Sequence, residues 1–295
     1  MRGPFQNKAV VASLVLPGIV LMIFSMLVPL GFSVYFSLTN WAGFGAYRHV
    51  GLENYVDILT NNPVFWRSLW NTLLLMVVTI FIQNPVAFAL AAVLAHVSQK
   101  VSRFLRTIYF VPAVLSLVVV AKLWVNLFNP TYGMVNKLLA AVGLKALTVS
   151  WLSNPHTAIW AVIWIIVWQG FGWALHFYYA GLMTVPREIE EAARVDGASW
   201  LQAYVYIVIP YLYPAIAAVI VIDVISSMRQ MELIFLSTGG GPGMLTQFVS
   251  VYLYQKAFAS GEYGYGNALS VLFVIIAVGL TLLVQRIMRT APDER

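Results

Sequence analysis

The chain has 295 residues, of which 61% are hydrophobic and only 9% are charged, and its mean hydropathy is +0.82. So few charged side chains cannot cover the surface of a water-soluble protein, and the composition therefore predicts an integral membrane protein. The absence of cysteine excludes disulfides and cysteine metal sites.

Six apolar runs follow one another along the chain, each near the roughly 20 helical residues that cross a hydrocarbon layer of about 30 Å. They lie at about 9–37, 69–95, 105–127, 158–183, 203–228 and 268–284. The first run follows Arg2 and Lys8 and could pass for a signal peptide. It is too long for one and contains Pro17 and Pro29, so we expect a helix. The sequence thus predicts an all-α, polytopic fold with six transmembrane helices.

Basic residues are unevenly distributed between the two sides of these spans. Ten Lys and Arg residues fall in the tails and the even-numbered loops, whereas five fall in the odd-numbered loops. Because cytoplasmic segments retain basic residues, we expect both termini on the cytoplasmic side. The net charge of +6 reflects this retention and does not indicate nucleic-acid binding.

The segments between the spans are short, and no linker or low-complexity stretch divides them. This predicts a single membrane domain over 1–295, with a core at about 69–289. In the first external segment, 51–59, helical spacing places four apolar side chains on one face, which predicts a helix along the outer surface. They are Leu52, Tyr55, Val56 and Leu59.

The last external segment contains a glycine cluster at 238–243. Glycines permit a strained turn, but they also occur in phosphate-binding loops. A P-loop requires Gly-Lys followed by Ser or Thr, and the sequence has no Gly-Lys dipeptide. We therefore expect a turn at 238–243 and no ATP hydrolysis by this chain.

Residues 186–210 form a charged, helix-favouring segment in an otherwise apolar chain. Pro186 suits the first turn of a helix, and the acidic residues after it lie near the positive end of the helix dipole. Gly197 can end a helix in the left-handed conformation, and Pro210 can kink the following span. We predict a short helix parallel to the membrane, followed by a bend. A solvated connector without a partner is the simpler alternative.

The order of residues in this segment resembles the "EAA" loop of permease subunits in bacterial ATP-driven importers. The order is Glu-Ala-Ala at 191–193, Asp-Gly at 196–197, Ile207 and Pro210, and it departs from the family in having Ile209 where Leu is usual. The resemblance implies that 184–202 is a coupling loop with a cytoplasmic coupling helix that contacts the ATPase. The implied coupling residues are Glu190, Glu191, Ala192, Ala193, Asp196 and Gly197.

Further motifs resemble the carbohydrate branch of this family, the maltose-type and glycerol-phosphate-type permeases. They occur at 51–55, 65–66, 71–72, 106–113, 127–130 and 238–243. The resemblance implies a type I ABC importer permease fold in a bacterial inner membrane and a carbohydrate substrate. It also implies three kinds of partner: a second related permease, two ATP-binding subunits that use ATP-Mg, and an external solute-binding protein. No cofactor is expected on this chain.

Polar groups inside a span are costly and usually face a water-filled path or a partner helix. Sugars require fixed hydrogen-bonding groups and flat aromatic faces, which the fourth and fifth spans contain. By alignment with maltose-type permeases, the resemblance implies substrate contacts at Gln169, Gly170, Trp173, Ser226, Arg229 and Gln230. Alternatively, Arg229 pairs with Glu232 on one helix face. A guanidinium in the site suits either internal neutralisation by Glu232 or an acidic substrate, and we expect a neutral oligosaccharide with an acidic sugar as the variant.

Two other functions are open at this point. An ion-coupled secondary carrier acting without an ATPase needs ionisable groups in mid-membrane, and Asp223 is the chief candidate. An intramembrane enzyme needs a metal site or a nucleophile with a base, but the sequence has no His-Glu-x-x-His motif and its four histidines are dispersed. We therefore expect no catalytic residue and no metal site.

Overall fold

The computed structural model describes residues 8–289, and the regular secondary structure of this part of the chain is helical. It contains no strand, only an isolated antiparallel bridge between Thr39 and His49. The helices are α1 (Lys8–Met22), α2 (Val28–Ser37), α3 (Glu53–Thr60), α4 (Pro63–Val78), α5 (Asn84–His96), α6 (Gln99–Val114), α7 (Leu117–Leu127), α8 (Met134–Ala141), α9 (Ala158–Leu182), α10 (Arg187–Val195), α11 (Trp200–Ala203), α12 (Ile209–Tyr211), α13 (Tyr213–Arg229), α14 (Glu232–Ser237), α15 (Val249–Tyr254) and α16 (Tyr263–Arg289). Arg2 and Arg295, which enter the charge count, lie outside the described residues.

The described helices supply up to six membrane spans, which confirms the predicted all-helical membrane fold. Four are continuous, at Val11–Ser37, Pro63–His96, Ala158–Leu182 and Tyr263–Met288. The other two are pairs bent by 98° (α6 with α7) and by 72° (the segment Trp200–Tyr211 with α13). The third predicted run is therefore broken where a straight span was expected, and the fifth contains a bend close to Pro210, where a kink was expected.

The two breaks have local causes. Between α6 and α7 the backbone of Leu115 and Ser116 is extended, with ψ of 144° and 137°, so the helical hydrogen bonds stop there. The fifth span breaks at Leu212 between Pro210 and Pro214, each of which removes one backbone donor from the helix. The bend expected at Pro210 thus occurs two residues later.

Three π-helical turns precede prolines by two residues. They lie at Ile23–Leu27, Thr79–Gln83 and Tyr204–Val208, ahead of Pro29, Pro85 and Pro210. In each turn the residue just before the proline donates its N–H to the carbonyl five residues earlier. A widened turn gives the proline ring room against the preceding helical carbonyls, so each span continues through its proline.

The chain forms two compact units, of which the first comprises residues 8–62 and 253–275 of the described part. There, Asn54 ties α3 to the end of α2 by donating from Nδ2 to the Ser37 and Thr39 carbonyls, at 2.8 and 2.9 Å. The predicted helix at 51–59 is thus present as α3. Leu52, Val56 and Leu59 are exposed, Tyr55 is half-buried and Ile58 is fully buried.

The second unit comprises 63–252 and 276–289 of the described part. Small residues on α5 let that helix pack closely on α9. The buried residues at this contact include Ala87, Ala91 and Ala92 on α5 and Ala174, Leu175 and Tyr178 on α9. Gly172 of α9 lies against the backbone of α6, where an added Cβ would collide with the Tyr109 carbonyl. This packed block of α5, α6 and α9 is the frame on which the candidate site is built.

Candidate functional site

The segment predicted to couple to an ATPase folds as two short helices joined by a turn. Pro186 is the N-cap of α10, and Gly197 follows its end with a φ of 82°, as expected for a left-handed terminating glycine. The next helix, α11, begins with a capping box in which Ser199 and Gln202 bond each other's backbone N–H. Local sequence signals therefore fix both ends of the turn.

One side of α10 packs against its own chain and the other side is bare. Ala193 is only 5% exposed, and Glu190 accepts a hydrogen bond from His96 at the end of α5, at 3.3 Å. Glu191 and Ala192 are exposed, and Val195 is 87% exposed. A valine so exposed, beside a small residue and a carboxylate, forms a surface that a partner could cover. We call Glu191, Ala192 and Val195 the outer face of α10.

A cleft of about 440 Å³ lies between α10 and the helices beside it. It is lined by Ala95, His96, Leu182, Met183, Val185, Glu190, Glu191, Arg194 and Tyr204. The His96 ring also contacts the Ala92 carbonyl through Nδ1 at 2.9 Å and the Tyr204 hydroxyl at 3.5 Å. Two of the predicted coupling residues, Glu190 and Ala193, therefore hold α10 in place. Ala192 is exposed outside the cleft, and Glu191 is exposed at the cleft.

A second polar group of residues lies inside the membrane spans of the second unit. Asn84 donates from Nδ2 to Asp223 Oδ2 at 2.8 Å, which joins α5 to α13. The hydroxyls of Thr79 and Ser227 lie 3.5 Å apart, between the π-helical turn Thr79–Gln83 and α13. We call Thr79, Asn84, Asp223 and Ser227 the intramembrane polar row. Its members are distant in sequence, and only the cost of burying polar groups in lipid could have drawn attention to them.

The predicted substrate residues lie near this row on two helices. On α9, Gln169 and Gly170 are half-buried and Trp173 is half-exposed. The predicted Gly170 faces Gln83, since a Cβ built there would lie 3.8 Å from Gln83 Nε2. On α13, Ser226 and Arg229 are exposed. The α9 set and the α13 set share no hydrogen bond within residues 8–289.

The alternative pairing of Arg229 with Glu232 is not formed among the described residues, where the ion pairs are His96–Glu190 and Lys256–Glu262. Gln230 ends α13, and its carbonyl accepts a hydrogen bond from Ser250 Oγ. The Arg229 side chain is exposed, and no carboxylate among residues 8–289 forms an ion pair with it.

The glycine cluster at 238–243 forms a turn, as predicted. Gly239, Gly240 and Gly243 have positive φ, and Asn71 fastens the following segment by donating to the Leu245 and Gln247 carbonyls, both at 2.8 Å. A cavity of about 390 Å³ opens beside the turn, with polar groups from Asn129, Ser150, Ser153, Ser237 and Thr238 among its lining. The glycines thus shape a pocket wall.

A further cavity, of about 540 Å³, is almost wholly apolar. Trp124, Trp151, Trp160 and Trp164 line it, together with Phe128, Val135, Ala161 and Thr157. A sugar site needs several fixed donors and acceptors, so this cavity does not suit a carbohydrate. Residues 8–289 also contain no group of three or more metal-ligating side chains.

Comparison with known proteins identifies the family. A family model described as "Binding-protein-dependent transport system inner membrane component" matches residues 83–291. The chain belongs to this family. The match includes α10 and every predicted coupling and substrate residue.

Similar proteins agree over nearly the full length. The chain is 33% identical to the probable ABC transporter permease YurN of Bacillus subtilis, covering 98% of this chain and 99% of that one. It is 33% identical to the multiple sugar-binding transport system permease MsmF of Streptococcus mutans, covering 85% of each. Among solved structures, a bacterial ABC transporter that imports the acidic polysaccharide alginate matches with a TM-score of 0.83 and 24% identity over 96% of each chain. The last likeness shows the fold.

The chain is therefore a multi-pass inner-membrane permease of an ABC importer, with the type I permease fold that its sequence motifs predict. None of the similar proteins supports the ion-coupled carrier. The carboxyl group that suggested it, on Asp223, is hydrogen-bonded to Asn84.

Proposed function

We propose that this permease is one of two related membrane subunits of a sugar or oligosaccharide importer. In the proposed assembly, two separate subunits bind ATP-Mg and an external binding protein delivers the substrate. The names of similar proteins support a carbohydrate substrate, since these proteins include the trehalose/maltose permease MalF of Thermococcus litoralis and the sulfoquinovosyl glycerol permease SmoG of Agrobacterium fabrum. Both termini are proposed to be cytoplasmic, on the charge distribution already described.

The outer face of α10 is the observation that carries the coupling proposal. A helix that is held by its own chain on one side and bare on the other suits a partner that pushes on it. Glu191, Ala192 and Val195 would touch the ATP-binding subunit. The other proposed coupling residues support that surface: Glu190 and Ala193 hold α10, and Asp196 and Gly197 end it.

We place the substrate path along α9 and α13. Gln169, Gly170 and Trp173 would supply an amide, backbone space and an aromatic face, and Ser226, Arg229 and Gln230 would supply hydrogen-bonding groups. The exposed Arg229 guanidinium could bind a carboxylate, sulfonate or phosphate on a sugar. Neutral hydroxyls can also accept hydrogen bonds from it. We therefore propose a neutral oligosaccharide as the main substrate and an acidic sugar as the variant.

The test of coupling is the charge reversal Glu191→Lys in the complete importer reconstituted in liposomes. Uptake of labelled maltose, trehalose and an alginate oligosaccharide is measured beside ATP hydrolysis. We expect the uptake rate of whichever sugar the parent transports to fall by about tenfold or more, because the reversed charge weakens contact with the ATP-binding subunit. A tenfold loss corresponds to about 1.4 kcal/mol of interaction free energy. Glu53 on α3 is also exposed, so the charge reversal Glu53→Lys is the matched control and should leave uptake unchanged. Unaltered uptake in Glu191→Lys would refute the coupling role.

The test of the path is Arg229→Ala in the same assay. We expect transport of an acidic sugar to be lost first, and transport of a neutral sugar to be reduced less. Undiminished uptake with unchanged preference would remove Arg229 from the site.

A further inference from the structure

The helix α5 connects the proposed coupling segment, residues 184–202, to the intramembrane polar row. Its first residue is Asn84, which bonds Asp223, and its last is His96, which bonds Glu190 of α10. At about 1.5 Å per residue these two ends lie roughly 18 Å apart along the helix axis. One straight helix therefore touches both places that the proposed function requires to move together.

The contact at the His96 end has a specific chemical form. The Nδ1 atom faces the Ala92 carbonyl at 2.9 Å, and the Nε2 atom faces the Glu190 carboxylate at 3.3 Å. The Glu190 carboxylate can only accept, so Nε2 donates in this contact. The His96 ring thereby joins the end of α5 to α10.

Other titratable and charged groups surround this ring. Glu191 and Arg194 of α10 line the same cleft, and the Tyr204 hydroxyl lies 3.5 Å from Nδ1. The side chains of His96 and Glu190 are 34% and 25% exposed, so water reaches the pair and weakens it.

Aromatic rings make a second contact between the coupling segment and α5. Trp200 of α11 stacks on Tyr204 with ring centroids 4.4 Å apart. Tyr204 meets Phe88 of α5 edge-on at 6.4 Å, and Phe88 meets Tyr178 of α9 at 5.5 Å. Displacement of α10 and α11 would therefore press on α5 at its end and near its middle.

The opposite end of α5 follows an irregular turn of the helix. The π-helical turn Thr79–Gln83 lies directly before α5, and Pro85 removes a backbone donor at the first turn. Such turns inside helices often occur at functional sites. The α5 helix can thus pivot about this turn while the bond from Asn84 carries its motion to α13.

We propose that His96 is a positioning residue that fastens the coupling helix to α5, so that α5 acts as a lever between the ATP-binding subunit and the substrate path. This proposal rests on the proposed coupling role of α10. His96 holds Glu190, and movement of α10 then turns α5 and shifts the Asn84–Asp223 contact.

The experiment uses the chain's lack of cysteine. Ser226→Cys on α13 is introduced into the complete importer, with cysteine-free partner subunits, and labelled with a membrane-impermeant maleimide. The readout is the ratio of labelling rates without nucleotide and with ATP plus vanadate, which needs no knowledge of the sugar. This ratio is measured in the parent and in His96→Ala, His96→Gln, His156→Ala and Glu191→Lys.

We expect a several-fold ratio in the parent and in the control His156→Ala. The ratio should fall to unity in His96→Ala and recover in His96→Gln, because the glutamine amide can also donate a hydrogen bond to Glu190. Co-purification of the ATP-binding subunits confirms assembly of each variant.

The outcomes separate the two proposals. If Glu191→Lys abolishes the ratio but His96→Ala leaves it intact, the lever is wrong and the coupling role of α10 stands. If Glu191→Lys also leaves it intact, the coupling role itself is wrong. If His96→Ala does not assemble, Glu190→Ala removes the same contact from the α10 side, and a parent-like ratio in that variant overturns the lever.

Discussion

The coupling segment and the intramembrane polar row differ in how exposed they are and in how firmly the rest of the chain holds them. The outer face of α10 is left bare, and α10 is held by one half-exposed ion pair and one buried alanine. In the polar row, Asn84 and Ser227 are buried, and the row's hydrogen bonds join helices across the packed frame. The region proposed to meet a partner is thus weakly held and open, whereas the region near the proposed path is held by hydrogen bonds between buried groups.

The largest expected effect on stability lies in the packed frame. Gly172→Ala should destabilise the protein by about 1–3 kcal/mol, because the new methyl group meets the Tyr109 carbonyl and α6 must move away from α9. The melting temperature in detergent measures this change. Gly279→Ala, where a Cβ meets nothing within 4 Å, is the control and should not lower it. Equal behaviour of the two variants would mean that α6 and α9 are not in close contact.

The next effect is expected at the polar row. A double-mutant cycle of Asn84→Ala and Asp223→Ala should give an interaction free energy of about 0.6 kcal/mol and at most about 1.7 kcal/mol, the average and the maximum found for hydrogen bonds between membrane helices. The cycle is measured by unfolding the purified permease in detergent. Strictly additive losses would show that the 2.8 Å contact does not join α5 to α13.

A smaller effect is expected where α11 begins. Ser199→Ala removes the side-chain acceptor of the capping box and should cost about 0.5–1 kcal/mol. Ser199→Asp keeps an acceptor and should retain stability. The pair is compared by melting temperature, and a larger loss for the aspartate would argue against the cap.

The smallest effect on stability is expected on the outer face of α10. Val195→Ser should change stability by less than about 0.5 kcal/mol, because the side chain touches little of its own chain. The same variant should weaken recovery of the ATP-binding subunits during purification. A melting temperature lowered as much as in Gly172→Ala would show that Val195 is packed within the chain.

Much of this architecture could be predicted from sequence, because the signals are local. Six apolar runs mark the spans, and Pro186, Gly197 and the Ser199–Gln202 capping box mark the ends of the coupling helices. The resemblance to permeases of ATP-driven importers is confirmed by the family match. The sugar contacts and the coupling residues stay predictions.

The remaining features depend on contacts between distant residues. Asn84 and Asp223 are separated by 139 positions, so no window of sequence could pair them. Likewise, only tertiary packing decides that Ile58 of α3 is buried while Val56 is exposed. The same holds for α10, where spacing alone could not tell that Ala193 turns inward and Ala192 outward.

The most direct test of the central claim is a cross-link from the outer face of α10 in the assembled, transporting importer. A benzophenone attached to Val195→Cys should cross-link to the ATP-binding subunit, and one attached to Val56→Cys, an exposed valine on α3, should not. Absence of any cross-link from position 195 in a complex that still hydrolyses ATP and imports sugar would contradict the account.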